Sequence, residues 1–394
     1  MHLSLSLIAL AATVALPLAA SSQTATAPSL QPTSVPVLGP KPFIAYFKPT
    51  PMSGKLSATA WGAAEVGPRD IRNGLEDSSM KRWSYWDGQI LKGSDGKYRM
   101  FASRWDQARS FDGWVDSQGV MAVSTSLLGP YHDLGPTWPD NEGGKGHNVT
   151  ALRMHDERYA VVVSETRNGD VFVSDSIDGP WRQLGAIALD QSRFQLVKTP
   201  GDVAIRGDAN AKPARATNFA IMLRPDGAYQ IVPRSGQVLI SRTGILGPYM
   251  VMGDSVYRGL AGIPQRDMRA YEDPALWFSG GWYHVIVNHW RERRAYHLIS
   301  RDGITGWKVQ GLAYESGADF IRYTNGVVNH WNKLERPGVV IEKGHVTALS
   351  FAVIDTPKES QAGNNGHGSK VIVVPFDGAA MDRDLADVDR RGRP

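Results

Sequence analysis

The sequence predicts an all-β fold, a five-bladed β-propeller, on three observations. A strand-and-turn unit recurs five times along the chain, the turns are built on Gly and Pro, and helical periodicity is scarce. The 394 residues include 41 Gly, 24 Pro and 12 Trp, which fits many tight turns and large packing groups.

The first unit reads LKGSDGKYRMFASRW (91–105) and then VMAVSTSLLGPYHDLG (120–135). The second reads ALRMHDERYAVVVSE (151–165) and DVFVSDSIDGPWRQLG (170–185), the third IMLRPDGAYQIVPRS (221–235) and QVLISRTGILGPYMVMG (237–253). The fourth is ALWFSGGWYHVIVNHW (275–290) with AYHLISRDGITGWKVQG (295–311). The fifth begins at 334–353 and ends with VIVVPF (371–376). In all but the second, where the turn reads His-Asp-Glu-Arg, two strands flank an Asp-Gly, Gly-Gly or Lys-Gly turn. A third strand then leads through another turn, Gly-Pro-aromatic in the first three units, to a short outer strand. Units of ~50–70 residues match propeller blades. The segment PFIAYF (42–47) is expected to complete the last blade and close the ring.

Residues 3–20 form an apolar run followed by small polar residues, which reads as a secretory signal peptide over 1–20. Residues 21–40, rich in Ser, Thr, Ala and Pro, are expected to be a disordered linker, 41–378 the propeller, and 379–394 a polar tail. The expected location is therefore secreted or periplasmic, with no membrane contact after cleavage. Cysteine is absent, which excludes disulfides, thiolate metal sites and a cysteine nucleophile. The net charge of +4 suits an anionic substrate without calling for nucleic acid.

In a propeller the innermost strands line a central channel, so polar residues at their starts converge. Those starts read Trp86-Asp87-Gly88, Gly146-His147-Asn148, Thr217-Asn218, Tyr271-Glu272-Asp273-Pro274 and Leu334-Glu335-Arg336-Pro337. Five polar positions in five units point to a site on the axis. Each also has a plainer reading: Asp87 as a turn residue, His147 as a core histidine, Asn218 as a tie between blades, and Glu335–Arg336 as a structural ion pair. His289 and His330 fall within two Asn-His-Trp triplets near the same face. No phosphate loop, dinucleotide fingerprint, Gly-x-Ser-x-Gly elbow or His-Glu-x-x-His occurs.

The succession W-D-G-Q-I-L-K-G-S-D-G-K-Y, G-H-N-V-T-A-L, E-D-P-A-L-W-F and L-E-R-P-G-V-V resembles the five-bladed propeller superfamily of glycoside hydrolases, which includes families 43, 62, 32, 68 and 117. The resemblance spans roughly residues 80–355 and implies an exo-acting hydrolase that releases a terminal sugar. It places a base or nucleophile at Asp87. Families 43 and 62 have an aspartate where this chain has His147-Asn148, and a glutamate acid where it has Asn218. Glu272 is therefore the expected acid, with His147, His289 or His330 in reserve. Trp86, Asn148, Asn218, Asp273, His289, His330, Glu335 and Arg336 are expected to hold the sugar.

Hydrolysis needs a protonated acid at the leaving oxygen and a carboxylate that attacks or activates water. Two other readings compete. A lyase would use His147, Tyr271, His289, His330 and Arg336 on a uronic acid, and a non-catalytic propeller would bind carbohydrate alone. No cofactor is expected, with a structural calcium on the axis near His147 as the one alternative.

Overall fold

Strands whose two faces both read apolar, punctuated by Gly turns, stack face to face because neither side tolerates water. The computed structural model, which describes residues 35–167, 169–190, 217–253 and 255–391, shows this as five antiparallel sheets. Blade I comprises β1 (Trp83–Lys92), β2 (Tyr98–Asp106), β3 (Gln118–Ser124) and β4 (His132–Pro136). Blade II comprises β5 (His147–Arg153), β6 (Tyr159–Glu165), β7 (Asp170–Ser174) and β8 (Arg182–Ala186). Blade III holds β9 (Phe219–Leu223), β10 (Tyr229–Pro233), β11 (Val238–Ser241) and β12 (Met250–Gly253). Blade IV holds β13 (Tyr271–Ser279), β14 (Trp282–His289), β15 (Arg294–Ser300) and β16 (Lys308–Glu315). Blade V has three strands, β17 (Lys333–Glu342), β18 (His345–Ile354) and β19 (Ser369–Pro375).

The first strand of each blade is innermost, and these strands touch in the cyclic order β1, β5, β9, β13, β17 and back to β1. The chain is a five-bladed β-propeller. Its core lies between blades, where runs such as Ala160–Val163 are fully buried. Each such aliphatic side chain contributes about 1.5–3 kcal/mol of burial free energy.

Among the described residues blade V has no fourth strand, and the edge of β19 is covered in another way. Leu75 exchanges two backbone hydrogen bonds of 2.9 Å with Val371. The Asn73 side chain imitates a strand by bonding the Val373 carbonyl and amide at 2.9 and 3.0 Å. Lys48 N donates to Pro375 O at 2.9 Å. The segment 42–47, expected to complete the last blade, packs on blade V without forming a strand there: Phe43–Tyr46 is a short 3-10 helix, and Phe47 bridges to Phe376.

Two boundaries also shift. The expected polar tail is largely a helix, Gly378–Arg391, whose Met381 and Leu385 are buried against blades IV and V. Its Asp382 bonds Ser279 of blade IV and His345 of blade V, at 3.0 and 2.6 Å. At the other end, Val35 and Leu38 already pack on the core, so the packed body takes in part of the expected linker. The expected signal peptide and residues 21–34 lie outside the described residues.

Candidate active site

At the start of each innermost strand the backbone takes one left-handed step. Asp87, Asn148, Asn218, Asp273 and Arg336 have φ of 66, 57, 46, 53 and 50°. Asn and Asp tolerate this region; arginine does so at a cost of about 1–2 kcal/mol. The strand register slips at this step in blades I, IV and V. A bulge of this kind turns consecutive side chains away from simple alternation.

Four of the five stepped residues, Asp87, Asn218, Asp273 and Arg336, form a belt across the channel. Arg336 Nε donates to Asp87 Oδ1 at 2.9 Å, and Arg336 Nη1 lies 3.7 Å from Asp273 Oδ1. Asn218 Nδ2 donates to Asp273 Oδ1 at 2.8 Å, and Asp273 N donates back to Asn218 Oδ1 at 2.8 Å. Val149 N donates to Asp87 Oδ2 at 3.1 Å, and Ser103 Oγ donates to the same oxygen. Arg336 N closes on Asp273 Oδ2 at 3.3 Å. All five are buried, Asp87 at 2% exposure and Arg336 at 8%. These bonds run from blade to blade, so the belt is a structural girdle.

Below the belt lies an apolar cavity of about 370 Å³, lined by Asp87, Arg336 and the aliphatic residues that follow in all five innermost strands. Above it lies a polar cavity of about 270 Å³. Its floor is Asn148, Asn218 and Asp273, and the residues just before the step, Trp86, His147, Glu272 and Glu335, rise into it. Asp87 is not among its lining residues. The expectation that Asp87 faces Glu272 across the site is therefore corrected: both its oxygens are engaged, and it opens to the other cavity.

Glu272, Asp273 and Glu335 each bring one oxygen within 4.8 Å of the others. Burial, followed by the charges of Asp273 and Glu335, pushes Glu272 up to about 8, with Lys358 and Arg234 pulling the other way. Glu272 therefore holds its proton at neutral pH. Lys358 contacts Glu335 Oε2, and its Nζ sits 4.6 Å from the Phe111 ring centre and 5.0 Å from that of Trp86. Burial opposes the lysine charge, but the Glu335, Glu272 and Asp273 carboxylates more than offset it, so its pKa lies above the ordinary value. Arg234 Nη2 approaches Glu272 Oε2 at 3.7 Å.

His147 accepts or donates at Nδ1 with Ser117 Oγ, 3.1 Å away, and stacks obliquely near Trp114 at 5.0 Å. Burial drops its pKa to about 4, so at neutral pH it is uncharged and can orient a group by hydrogen bonding but does not serve as a general acid. On the axis the Arg336 guanidinium lies between Asp87 and Asp273. The three upper carboxylates have the oxygen geometry of a hard-cation site, but Arg336, Lys358 and Arg234 already face them.

Two expected residues lie elsewhere. His289 is buried behind blade IV, its Nδ1 accepting from Glu292 N at 3.3 Å and its ring edge-on to Tyr271. His330 is exposed, with Nε2 2.9 Å from Asp319. Tyr271, proposed for a lyase, spends its hydroxyl on Pro264 O at 2.7 Å.

Five lining residues escaped the sequence reading: Phe111, Trp114, Glu165, Arg234 and Lys358. Phe111 and Trp114 sit in an insertion between β2 and β3, and Lys358 in one between β18 and β19. Glu165 was open to inference, because β6 pairs it with His147.

No family model matches this chain, and no curated protein matches it. Among solved structures it is similar in chain course to a protein described as a glycoside hydrolase, at 13% identity and a TM-score of 0.49, covering 78% of this chain and 61% of that one. It is also similar to a family 43 β-1,3-galactosidase, at 16% identity and a TM-score of 0.48, covering 78% of this chain and 96% of that one. A family 117 glycoside hydrolase from the marine bacterium Zobellia galactanivorans gives 14% identity, a TM-score of 0.48, and coverage of 78% and 89%. This chain thus spans less than two thirds of the first of these. The fold assignment rests on the five sheets themselves.

Proposed function

We propose that this protein is a glycoside hydrolase that removes a terminal sugar from a polysaccharide or oligosaccharide. The observation that carries this reading is the Glu272–Glu335 pair: two carboxyl groups with oxygens within 4.8 Å, one held protonated to about pH 8, the other bound to Lys358. In a neighbouring pair, the carboxyl whose surroundings keep its proton is the one fitted to be the acid. Glu272 donates its proton to the glycosidic oxygen as the bond to the anomeric carbon breaks. Glu335 attacks that carbon, and water later releases the sugar with Glu272 acting as base. With an oxygen of each within 4.8 Å, the pair is nearer the ~5 Å of a retaining enzyme than the ~6.5–9.5 Å that leaves room for an inverting water. Trp86, Phe111 and Trp114 give the ring an apolar wall, and the small cavity on the axis suits a chain end.

Compared with the sequence reading, Glu335 takes the role first given to Asp87. The lyase reading keeps only His147 in the cavity, since Tyr271, His289, His330 and Arg336 are bound or placed outside it. The apolar run at 3–20 supports action outside the cytoplasm, and no helix among the described residues is long and apolar enough to cross a membrane.

Incubation with a panel of neutral and uronate-containing polysaccharides tests this. Released sugar without new ultraviolet absorbance is the expected result. Absorbance from a new carbon–carbon double bond, rising with cleavage, would show elimination and overturn it.

A further inference from the structure

Strand register places Glu272, Asn288, Ala295 and Tyr314 opposite one another across β13, β14, β15 and β16. Residues directly opposed in an antiparallel sheet share a face. Here that face packs on blade V, because Ala295 and Tyr314 share a core cluster with Leu334 and Phe351. Asn288 is 1% exposed and Tyr314 fully buried. Yet neither Asn288 Oδ1, Asn288 Nδ2 nor the Tyr314 hydroxyl has a hydrogen-bond partner in the protein. Across the interface, Glu335 Oε1 is also without one, its nearest cation being Lys333 Nζ at 3.7 Å.

Four unpaired polar atoms in one interface would each cost about 1–3 kcal/mol if left dry. Buried polar groups of this kind are satisfied by internal water. Ala295, between Asn288 and Tyr314 in the row, offers only a methyl group and so no polar partner to either. The Tyr314 phenol also feels the Asp273, Glu335 and Glu272 charges, which together with burial raise its pKa. It faces the back of the carboxylate cluster.

We propose that Asn288 and Tyr314 are positioning residues, linked through buried water to Glu272 and Glu335, that fix the orientation and proton affinity of this pair. Their catalytic meaning rests on the hydrolase reading; the hydrogen-bonded network does not. Glu272 is faced by Asp273 on its own strand, Glu335 and Lys358 from blade V, and Arg234 from blade III. Against these charges, Tyr314 and Asn288 add O–H and N–H donors, which favour the carboxylate form.

The test is a titration of carboxyl-13C-glutamate-labelled protein by NMR, with the Glu272 resonance assigned by its loss in Glu272→Gln. In Tyr314→Phe the Glu272 midpoint is expected to rise by about 1 unit, the scale of one charge-assisted hydrogen bond. Ala295→Val, which adds bulk between the two polar groups and keeps both, is expected to crowd out the proposed water and shift it the same way. Sugar release is measured on the same samples, with kcat expected to fall about 10-fold in Tyr314→Phe at nearly constant KM. An unchanged midpoint in a folded Tyr314→Phe or Ala295→Val protein would overturn the proposal. A shifted midpoint in a protein whose wild type releases no sugar would keep the network and sink the hydrolase reading.

Discussion

Replacing Glu272 with Gln is expected to lower kcat/KM about 10²–10⁴-fold at pH 6, the usual contribution of a positioned general acid. Gln keeps the shape and the contact with Arg234 but carries no transferable proton. The wild-type pH profile supplies a second signature. Glu272 must be protonated to act, so activity is expected to fall as pH rises through about 8, the value set by burial and the adjacent Asp273 and Glu335 charges. Lys358 and Arg234 hold that value down. Lys358→Met should therefore move the alkaline limb to higher pH while weakening catalysis, because Glu335 loses its ion pair. Steady-state rates on a released terminal sugar, taken from pH 4 to 10, read both effects. A wild-type profile flat through pH 8 would remove Glu272 from the acid role.

The second large effect concerns stability. Arg336→Met is expected to cost about 3–5 kcal/mol in urea unfolding, because it strands Asp87 and Asp273 in the channel without their cation. The loss exceeds what the methionine gains by relieving charge burial, since two carboxylates remain. It also severs the link from blade V to blade I, which the Asp87–Arg336 bond makes at the axis. A change below about 1 kcal/mol would mean that the belt is incidental to the fold.

The blade rhythm was legible because its signals are local. Gly turns and apolar strands repeat in fixed order, and nothing distant is needed to recognise them. The starts of the innermost strands were legible for the same reason, and seven of the residues named there line the upper cavity one step before or at the belt: Trp86, His147, Asn148, Asn218, Glu272, Asp273 and Glu335.

What the residues could not show was which side of the belt each side chain takes. That depends on the left-handed step and its bulge, which sends Trp86 up and Asp87 down although they are neighbours. The pairing of Asp87 with Arg336 spans 249 positions and leaves no local trace. Phe111, Trp114 and Lys358 occupy insertions found in one blade each, outside any repeat. The C-terminal helix did leave a signal, Met381 and Leu385 four residues apart, but charged neighbours disguised it as a tail.

Asp87→Asn separates the two carboxylate assignments most directly, when turnover per folded molecule is measured beside the melting temperature. With Asp87 as part of the girdle and Glu272 with Glu335 as the working pair, the variant should melt several degrees lower. Its folded fraction should keep turnover within about threefold of wild type, since a lost structural contact does not remove transition-state stabilisation. A melting temperature equal to wild type with turnover reduced 100-fold or more would contradict this, and would return the chemistry to Asp87.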